Sequence, residues 1–267
     1  MDKPSIKLEH ATLSFGSRVL WEDMNLSIHS GEFIAILGPN GSGKSSFLKV
    51  LLGLNELSEG SAFVYDQESK KGNPYIGYIP QQRNFDENIP IRGRDLIQLG
   101  LDGHKWGFGN TNVKDKNKID SIIEKVEAQS YANKPIGKLS GGEQQRLRIA
   151  QALVSDPKIL LCDEPLLSLD LKNQESICNL INNYRKEHNA TVLFVEHDIN
   201  PILTMVDRVL YFAKGKWSIG TPQEVLTTEN LTEIYGSKVN VFHAEGRIFI
   251  VGGGDTMLDN QGHHYHG

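Results

Sequence analysis

The sequence is short of the features that mark several protein classes. It has only two cysteines, Cys162 and Cys178, too few for a disulfide framework, so a reducing compartment is expected. No stretch approaches the roughly 18 uncharged apolar residues of a membrane span. The net charge of -5 gives no support for nucleic-acid binding. The first ten residues lack the apolar core of a signal peptide, so we expect a cytoplasmic protein that meets a membrane only through a partner.

The length and composition that remain are those of a globular protein. The chain has 267 residues, enough for about one to two domains with a sizeable core. Apolar residues make up 39% and charged residues 23%, an ordinary balance for such a chain.

Hydrophobic patterning predicts a parallel sheet interleaved with helices. Apolar runs at residues 33–37, 158–162 and 191–195 have the length of strands buried on both faces. Helices are predicted over residues 45–52, after the first run, and over 171–188, between the other two. Strands that alternate with helices in this order favour βαβ units, so the predicted fold class is α/β.

Two other regions depart from this pattern. Residues 6–10 and 26–29 alternate polar and apolar side chains, as half-exposed strands do. Residues from about 85 to 138 are polar, with a predicted exposed loop over 100–117 and a short amphipathic helix over 121–129. We interpret this middle segment as a helical insertion in the core.

The C-terminal part predicts only short elements. Residues 208–212 and 216–219 form a predicted hairpin around Lys214-Gly215, and Thr221-Pro-Gln-Glu224 has the pattern of a helix capping box. Short strands are predicted at 241–242 and 247–251. Residues 252–267 have the composition of a mobile tail.

A glycine-rich segment, Gly38-Pro-Asn-Gly-Ser-Gly-Lys44-Ser45, lies between the first buried run and a predicted helix. It matches the full P-loop pattern, in which backbone N–H groups cradle phosphate oxygens. Lys44 would bring positive charge to the β and γ phosphates, and the Ser45 hydroxyl would bind Mg²⁺. An ordinary glycine-rich turn is the alternative, which the flanking strand and helix disfavour. The predicted nucleotide-binding residues of this segment are Gly38, Pro39, Asn40, Gly41, Ser42, Gly43, Lys44, Ser45 and Ser46.

Two acidic residues, Asp163 and Glu164, end the second buried run. A strand that ends in aspartate puts a carboxylate at the sheet edge beside the P-loop, where Asp163 would hold the Mg²⁺ shell. Glu164 would stand where it polarises an attacking water. A solvated acidic turn is the alternative, and it is weakened by the P-loop in the same chain.

The segment Leu139-Ser-Gly-Gly-Glu-Gln-Gln-Arg146 is the most specific signal in the chain. Ser140 and Glu143 form a predicted capping box, so a well-capped helix start is one interpretation. Two glycines in the first helical turn, however, cost roughly 1 kcal/mol each relative to alanine. Their use would be to bare a helix N-terminus so that an anion approaches closely.

These motifs resemble those of ABC-transporter nucleotide-binding subunits, and the resemblance extends to about residue 235. It implies a P-loop NTPase core of RecA-like type with a parallel sheet, an antiparallel β subdomain and an inserted helical subdomain. The implied ATPase domain spans 1–240, with the helical subdomain at about 85–150. Residues 241–267 would form short C-terminal strands and a histidine-containing tail. ATP and Mg²⁺ are the implied cofactors, and ATP hydrolysis is the implied activity.

The same resemblance implies a head-to-tail dimer in which each ATP lies between two subunits. Ser140, Gly141 and Gly142 would face the γ-phosphate bound to the P-loop of the opposite subunit. Ser168-Leu-Asp170 resembles the family's dimer-contact loop. Leu167-Ser168 departs from the usual Ser-Ala pair, which leaves the aspartate in place and puts the serine contact in question.

Three further positions match the family one at a time. Gln81, in Tyr78-Ile-Pro-Gln81, would sense Mg²⁺ and the γ-phosphate, with the neighbouring Gln82 as the alternative. His197, in Val195-Glu-His197-Asp198, matches the switch histidine. Phe15 resembles the aromatic residue that stacks on adenine, and core packing is its alternative role.

The cargo has weaker signals. Residues 76–100 and the segment Pro222-Gln-Glu-Val-Leu-Thr227 resemble importers of zinc, manganese or iron. The tail carries His263, His264 and His266, and His243 precedes them. Imidazole groups can ligate such ions. A solvated tail is the favoured interpretation, because three histidines without carboxylates or cysteines make a weak metal site.

The expected function is therefore that of an ATPase subunit that powers import of a substrate, a transition metal ion, through a membrane permease. The expected partners are that permease, a second nucleotide-binding subunit in a homodimer and an external substrate-binding protein, with no nucleic acid. The chain would lie at the cytoplasmic face of the cell membrane. Alternatives are an importer ATPase for another solute, a soluble non-transport ABC ATPase, and a nucleotide-binding module without turnover. One copy of the motif set disfavours the second, and Glu164 disfavours the third.

Overall fold

The computed structural model of the chain describes residues 3–81, 85–102 and 113–252. These residues form strands and helices that we number in chain order. The strands are β1 (Ile6–Phe15), β2 (Arg18–Ile28), β3 (Phe33–Leu37), β4 (Glu59–Val64), β5 (Gln67–Glu68), β6 (Ile76–Ile79), β7 (Ile159–Asp163), β8 (Thr191–Val195), β9 (Arg208–Ala213), β10 (Lys216–Gly220), β11 (Val239–Ala244) and β12 (Arg247–Gly252). The helices are α1 (Lys44–Leu51), α2 (Gly93–Asp102), α3 (Val113–Lys125), α4 (Gly141–Leu153), α5 (Leu171–His188), α6 (Pro222–Val225) and α7 (Thr228–Tyr235).

A six-stranded sheet in the order β10-β9-β3-β8-β7-β6 forms the centre of the fold. Its strands are parallel from β6 to β9, and β10 is antiparallel to β9. Strand β3 explains why the apolar runs are continuous: Phe33 and Ala35 pack into one hydrophobic cluster, while Ile34 and Ile36 pack into the other. Because both faces of the sheet are covered, every residue of this strand is buried. The predicted α/β class with a parallel sheet is confirmed.

The antiparallel β subdomain is a second sheet in the order β2-β1-β4-β5. Its apolar residues belong to the same cluster as those on the inner side of α1 and one face of the central sheet. The alternation predicted at residues 6–10 and 26–29 is confirmed. Ile6 and Leu8 are buried on either side of exposed Lys7, and Leu26 and Ile28 are buried on either side of exposed Ser27. This subdomain thereby covers the first face of the central sheet.

Helices α2, α3 and α4 lie in the predicted helical insertion, and there two expectations were wrong. The helix expected over 121–129 begins at Val113 and ends at Lys125. Its first turns look loop-like in sequence because Lys114, Lys116 and Lys118 all face solvent, while the buried isoleucines come later. The helix ends before Glu127, which adopts a left-handed backbone conformation.

The loop expected over 100–117 is also wrong at both of its ends. Its first residues belong to α2 and its last ones to α3, and residues 103–112 lie outside the described part of the chain. Gly100, which the sequence predicts to be a loop residue, lies in α2 and serves helix packing. A Cβ at this position would lie 2.2 Å from the carbonyl oxygen of Gln151, so only glycine lets α2 approach α4 this closely.

The elements of the C-terminal half follow the predictions closely. Helix α5 has the predicted bounds, the β9–β10 hairpin forms around Lys214-Gly215, and Thr221 caps α6 in a capping box. Strands β11 and β12 form an antiparallel hairpin whose Val239 and Ile248 join the large core cluster. The predicted mobile tail, residues 252–267, is wrong at its first residue, because Gly252 ends β12. Its other residues, 253–267, lie outside the described part of the chain, and the division at residue 240 stays a prediction. Within the described ranges, no helix has the length and apolar character needed to cross a bilayer.

Candidate nucleotide-binding and hydrolysis site

The P-loop leads from buried strand β3 into α1, as its sequence pattern predicts. Lys44 is the first residue of the helix, and its ammonium group donates hydrogen bonds to the carbonyl oxygens of Gly38, at 2.7 Å, and Pro39, at 3.1 Å. The side chain is buried, and this burial lowers the pKa of Lys44, while the carboxylates of Glu164, Asp163 and Glu196 act in the opposite direction. The Lys44 ammonium group is thus held at the N-terminus of α1. The positive end of the helix dipole lies at the same place, so both favour a bound anion such as a phosphate.

A cavity of about 330 Å³ opens beside this loop. Its lining comprises Phe15, Arg18, Leu20, Asn40, Gly41, Gly43, Lys44, Ser45, Ser46 and Glu164. Phe15 is 55% exposed, so the core-packing alternative for this ring is wrong, and its place in the lining is compatible with stacking on a base. The Ser42 hydroxyl is buried and has no hydrogen-bond partner among the described residues, as expected of a donor in a phosphate cradle.

Asp163 lies at the end of β7, next to the P-loop serine. The Ser45 hydroxyl donates a 2.8 Å hydrogen bond to Asp163 Oδ1, and the Tyr78 hydroxyl lies 3.4 Å from Oδ2. Burial raises the pKa of Asp163, and the hydrogen bond from Ser45 opposes that rise. Burial also raises the pKa of Tyr78 to about 12, so its hydroxyl keeps its proton at neutral pH. The fold therefore places two hard oxygen ligands, the Ser45 hydroxyl and the Asp163 carboxylate, side by side at this edge of the sheet.

Glu164 joins two of the residues that sequence resemblance singled out. The Gln81 amide donates a 2.6 Å hydrogen bond to Glu164 Oε2, and His197 Nε2 lies 2.9 Å from Glu164 Oε1. Glu164 itself is buried and adopts a left-handed backbone conformation, with φ of 49°, which is rare for a residue with a Cβ. Gln82, the alternative to Gln81, lies outside the described residues.

The segment Ser140-Gly141-Gly142 begins α4 and has the predicted capping box. The Ser140 hydroxyl accepts from the Glu143 N–H at 3.3 Å, and the Glu143 carboxylate accepts from the Ser140 N–H at 2.8 Å. None of the described residues that line the cavity comes from this segment. One chain alone therefore does not bring the signature segment to its own P-loop cavity.

Two residues near the site had no clear signal in the sequence. The Arg18 guanidinium donates a 2.7 Å hydrogen bond to the Gly41 carbonyl and lines the cavity beside Phe15. Glu196 is buried next to His197 and accepts a 3.2 Å hydrogen bond from the Leu166 N–H. Its burial raises the pKa of Glu196 to about 7. Adjacency to Phe15 and His197 is the one hint that the sequence offers for these two residues.

The histidines considered as metal ligands are not gathered in the described structure. His243 lies exposed on β11, whereas His263, His264 and His266 fall outside the described residues. Over residues 3–81, 85–102 and 113–252, no group of three or more histidine, cysteine, aspartate or glutamate side chains is arranged to hold a metal ion.

The P-loop ends at Lys44, the buried first residue of α1, and the Asp163 carboxylate at the end of β7 is hydrogen-bonded to the P-loop residue Ser45. This combination defines a P-loop nucleoside triphosphatase. The model of the ABC transporter family matches residues 21–167, and the chain belongs to this family. It is thus an ATP-binding and ATP-hydrolysing subunit of an ABC transporter.

Two relatives with assigned functions illustrate the similarity. The manganese transport system ATP-binding protein MntB of Bacillus subtilis is 31% identical over 234 residues, which is 88% of this chain and 93% of MntB. The zinc uptake system ATP-binding protein ZurA of Listeria monocytogenes is 33% identical over 215 residues, covering 79% of this chain and 84% of ZurA.

Solved structures agree with this placement. An ABC transporter of the metal-chelate type, in an inward-facing conformation, matches with a TM-score of 0.78 and 26% identity. The match covers 93% of this chain and 96% of the other. A dimeric ATP-binding cassette with bound ADP and phosphate has a TM-score of 0.67 and 28% identity, over 81% of this chain and 98% of the other.

Proposed function

We propose that this chain hydrolyses ATP to power the import of a transition metal ion, of the class of manganese, zinc or iron, through a membrane permease. The observation that carries the hydrolytic site is the Glu164 carboxylate, held between Gln81 and His197 beside the P-loop. Three segments that are remote in sequence supply these groups. Such convergence on one carboxylate is what positioning of a water for attack requires.

The proposed chemistry is an in-line attack of water on the γ-phosphate of ATP, which breaks the bond to the β–γ bridging oxygen and releases ADP and phosphate. Glu164 orients this water and accepts its proton, and the Gln81 amide keeps the carboxylate aimed at it. His197 contacts both Glu164 and the γ-phosphate, and thereby links the base to the phosphate it acts on. A P-loop site does little covalent chemistry of its own, so the rate depends on this alignment.

The proposed nucleotide contacts come from the cavity lining. The Lys44 ammonium exchanges its hydrogen bonds to Gly38 and Pro39 for the β and γ phosphates. The backbone from Gly38 to Ser46 and the buried Ser42 hydroxyl surround the phosphates, and Phe15 stacks on the adenine.

The first turn of α1 and the end of β7 together offer residues that fit a magnesium ion. Ser45 and Asp163 offer adjacent hydroxyl and carboxylate oxygens, the ligand type that Mg²⁺ prefers, and Gln81 lies nearby through its bond to Glu164. When bound, Mg²⁺ neutralises part of the negative charge on the β and γ phosphates. Burial raises the pKa of Asp163. Protons therefore compete with Mg²⁺ for this carboxylate more strongly at acid pH than they would for an exposed aspartate.

The proposed assembly is a homodimer on the cytoplasmic face of the membrane, bound there by a permease. In this dimer, the γ-phosphate held by one chain is covered by Ser140, Gly141 and Gly142 of the other. This proposal is supported by their absence from the described lining of their own chain's cavity. An external substrate-binding protein would deliver the cargo to the permease. The cargo class rests on the relatives, whose names specify manganese and zinc.

The test of this function uses the chain assembled with its membrane permease in proteoliposomes. We expect Mn²⁺, Zn²⁺ or Fe²⁺, supplied with the external binding protein, to raise the ATPase rate several-fold and to accumulate inside the vesicles. A Lys44→Ala chain, assembled in the same way, should abolish both effects because the β and γ phosphates lose their counter-charge. Stimulation by a non-metal solute but by none of these ions would refute the cargo assignment.

A further inference from the structure

Within the described residues, the side chains of Thr228, Thr232 and Asn200 attach the C-terminal hairpin β11–β12 to other elements through hydrogen bonds. On α7, the Thr232 hydroxyl bonds both the N–H and the carbonyl of Val239, each at 3.2 Å, and the Thr228 hydroxyl accepts from the Val241 N–H at 3.0 Å. The third side chain, Asn200, belongs to the segment that follows β8 and carries His197. Two of these attachments therefore come from α7, and one comes from the loop that carries His197.

Asn200 is bonded on two sides at once. Its amide nitrogen donates to the Ile248 carbonyl and its amide oxygen accepts from the Ile248 N–H, both at 2.9 Å, in the manner of one rung of a β ladder. On the other side, the Asn200 backbone N–H and amide nitrogen donate to Asp198 Oδ1 at 2.9 and 2.7 Å. The amide group of Asn200 thus uses both of its N–H donors, one on β12 and one on the residue after His197.

This arrangement bears on the geometry of His197. The His197 side chain is 43% exposed and contacts Glu164 through Nε2. Holding an exposed side chain in one orientation costs conformational entropy. This cost is smaller when the backbone beside the side chain is already fixed. Asp198 and Asn200 fix the backbone on the C-terminal side of the histidine, and β12 provides the rigid attachment.

We infer that Asn200 is a positioning residue for ATP hydrolysis, which fastens the His197 loop to the C-terminal hairpin and keeps the imidazole against Glu164. The inference rests on the proposed role of His197 in hydrolysis. It makes the hairpin a support of the hydrolysis site, although no residue of β11 or β12 lines the P-loop cavity.

The experiment compares Asn200→Ala with the matched control Thr232→Val in the full-length chain. Both changes remove side-chain hydrogen bonds to the hairpin backbone, but among the described residues the Thr232 side chain bonds Val239 and not the His197 loop. We expect Asn200→Ala to lower kcat for ATP about five- to tenfold, the equivalent of one to two hydrogen bonds, with KM within about twofold. Thr232→Val should leave kcat within about twofold, even where thermal unfolding shows an equal loss of stability.

A second comparison tests whether Asn200 acts through the loop. In Asp198→Ala the other side of the attachment is lost, so the double variant Asp198→Ala/Asn200→Ala should lose no more kcat than the worse single variant. If Asn200→Ala does not fold, Asn200→Asp replaces it, since it keeps the acceptor for Ile248 N–H and loses both donors. We expect the same loss of kcat from it.

Several outcomes would overturn the inference. They are an unchanged kcat in Asn200→Ala, an equal loss in Thr232→Val, a loss seen mainly in KM, or additive losses in the double variant. The variants His197→Ala and Glu164→Gln separate this failure from that of the proposed site. If both retain full turnover, the site assignment fails; if both lose it while Asn200→Ala does not, only the role of Asn200 fails.

Discussion

Glu164 is the residue at which separate segments of the chain meet. Its neighbours Gln81 and His197 come from the ends of β6 and β8, on either side of β7, and both reach its carboxylate within hydrogen-bonding distance. A buried carboxylate with two polar partners keeps one orientation, which a base that acts on a single water needs. Its left-handed backbone conformation is a further constraint concentrated at this position.

The first prediction concerns this carboxylate. Glu164→Gln retains the shape and the partners but cannot accept a proton, so we expect ATP turnover to fall about 100- to 1,000-fold while ATP still binds. Single-turnover hydrolysis and ATP-dependent dimer formation on a sizing column measure the two parts. The exposed Glu175→Gln should behave as the wild type. Normal turnover in Glu164→Gln would contradict its assignment as the base.

Glu196 supports a prediction about pH. Burial raises its pKa from 4.5 to about 7, so the stability this group contributes is fully present below about pH 4.5 and is lost as the pH rises through about 7. The loss amounts to roughly 3 kcal/mol at most. Glu196→Gln does not titrate and should gain stability over the wild type by about this amount at pH 8, with little gain at pH 4.5.

Urea unfolding of both proteins at the two pH values measures this difference. The exposed Glu56→Gln serves as the control and should show the same difference from the wild type at both. A Glu196→Gln advantage that is the same at pH 4.5 and pH 8 would show that ionisation of this carboxyl is not what costs the stability.

Among the secondary-structure elements, α4 and α5 contact each other at their N-termini. This contact brings the signature segment, which precedes α4, next to the proposed dimer-contact loop, which precedes α5. Asp170 caps α5 by accepting 2.8 Å hydrogen bonds from the backbone N–H and the side-chain amide of Asn173. These bonds lower the pKa of Asp170. The Asn173 amide also packs against Gly142, where a Cβ would lie 3.2 Å from Asn173 Cγ. The two helix N-termini are therefore in direct contact.

Gly142→Ala tests the role of this contact. Alanine is favoured over glycine within a helix by about 1 kcal/mol, so thermal stability should not fall. The added Cβ presses on Asn173 and also covers the N-terminus that we propose faces the γ-phosphate of the other chain. We expect weaker ATP-dependent dimerisation, measured on the Glu164→Gln background.

The double variant Gly142→Ala/Asn173→Ala distinguishes the two effects. If pressure on Asn173 is the cause, the second change makes room for the methyl group and restores dimerisation. If the methyl group blocks the approach of the other chain, dimerisation stays weak. Undiminished dimerisation in the single variant would rule out a close approach at Gly142.

At the level of the whole molecule, the described chain holds both halves of the proposed ATP site without bringing them together. The P-loop cavity has no lining residue from the signature segment, and Ser140 is exposed to solvent. An interface that uses two different patches on identical chains, related by a two-fold axis, places each patch opposite its complement. Two such chains would complete two sites.

A mixing experiment tests this arrangement. Lys44→Ala removes the phosphate-binding half and Ser140→Arg blocks the signature half, so each variant alone should be inactive. An equimolar mixture should regain about a quarter of the wild-type ATPase rate, since half of the random dimers are mixed and each has one intact site. The control is a double variant, Lys44→Ala/Ser140→Arg, in which one chain carries both changes. A mixture as inactive as its components would contradict sites shared between chains.

Much of the fold follows from local patterns in the chain. The buried strands β3, β7 and β8, helix α5 and the three nucleotide motifs are contiguous segments whose composition and spacing reflect local backbone preferences and burial. Local patterns alone predict a start of α3 at residue 121 rather than Val113, because charged residues on the outer face of a helix resemble a loop when the tertiary contacts are unknown. Gly100 likewise suggests a loop in the sequence, although in the fold it allows close packing of two helices.

The contacts that assemble the site depend on which strands become neighbours. Gln81, Glu164 and His197 are each recognisable in sequence, but their meeting requires β7 to lie between β6 and β8 in the sheet. No periodicity encodes such an order, since it results from the packing of segments far apart in the chain. For the same reason the roles of Arg18, Glu196 and Asn200 emerged from the folded chain alone: their partners lie 23, 30 and 48 residues away.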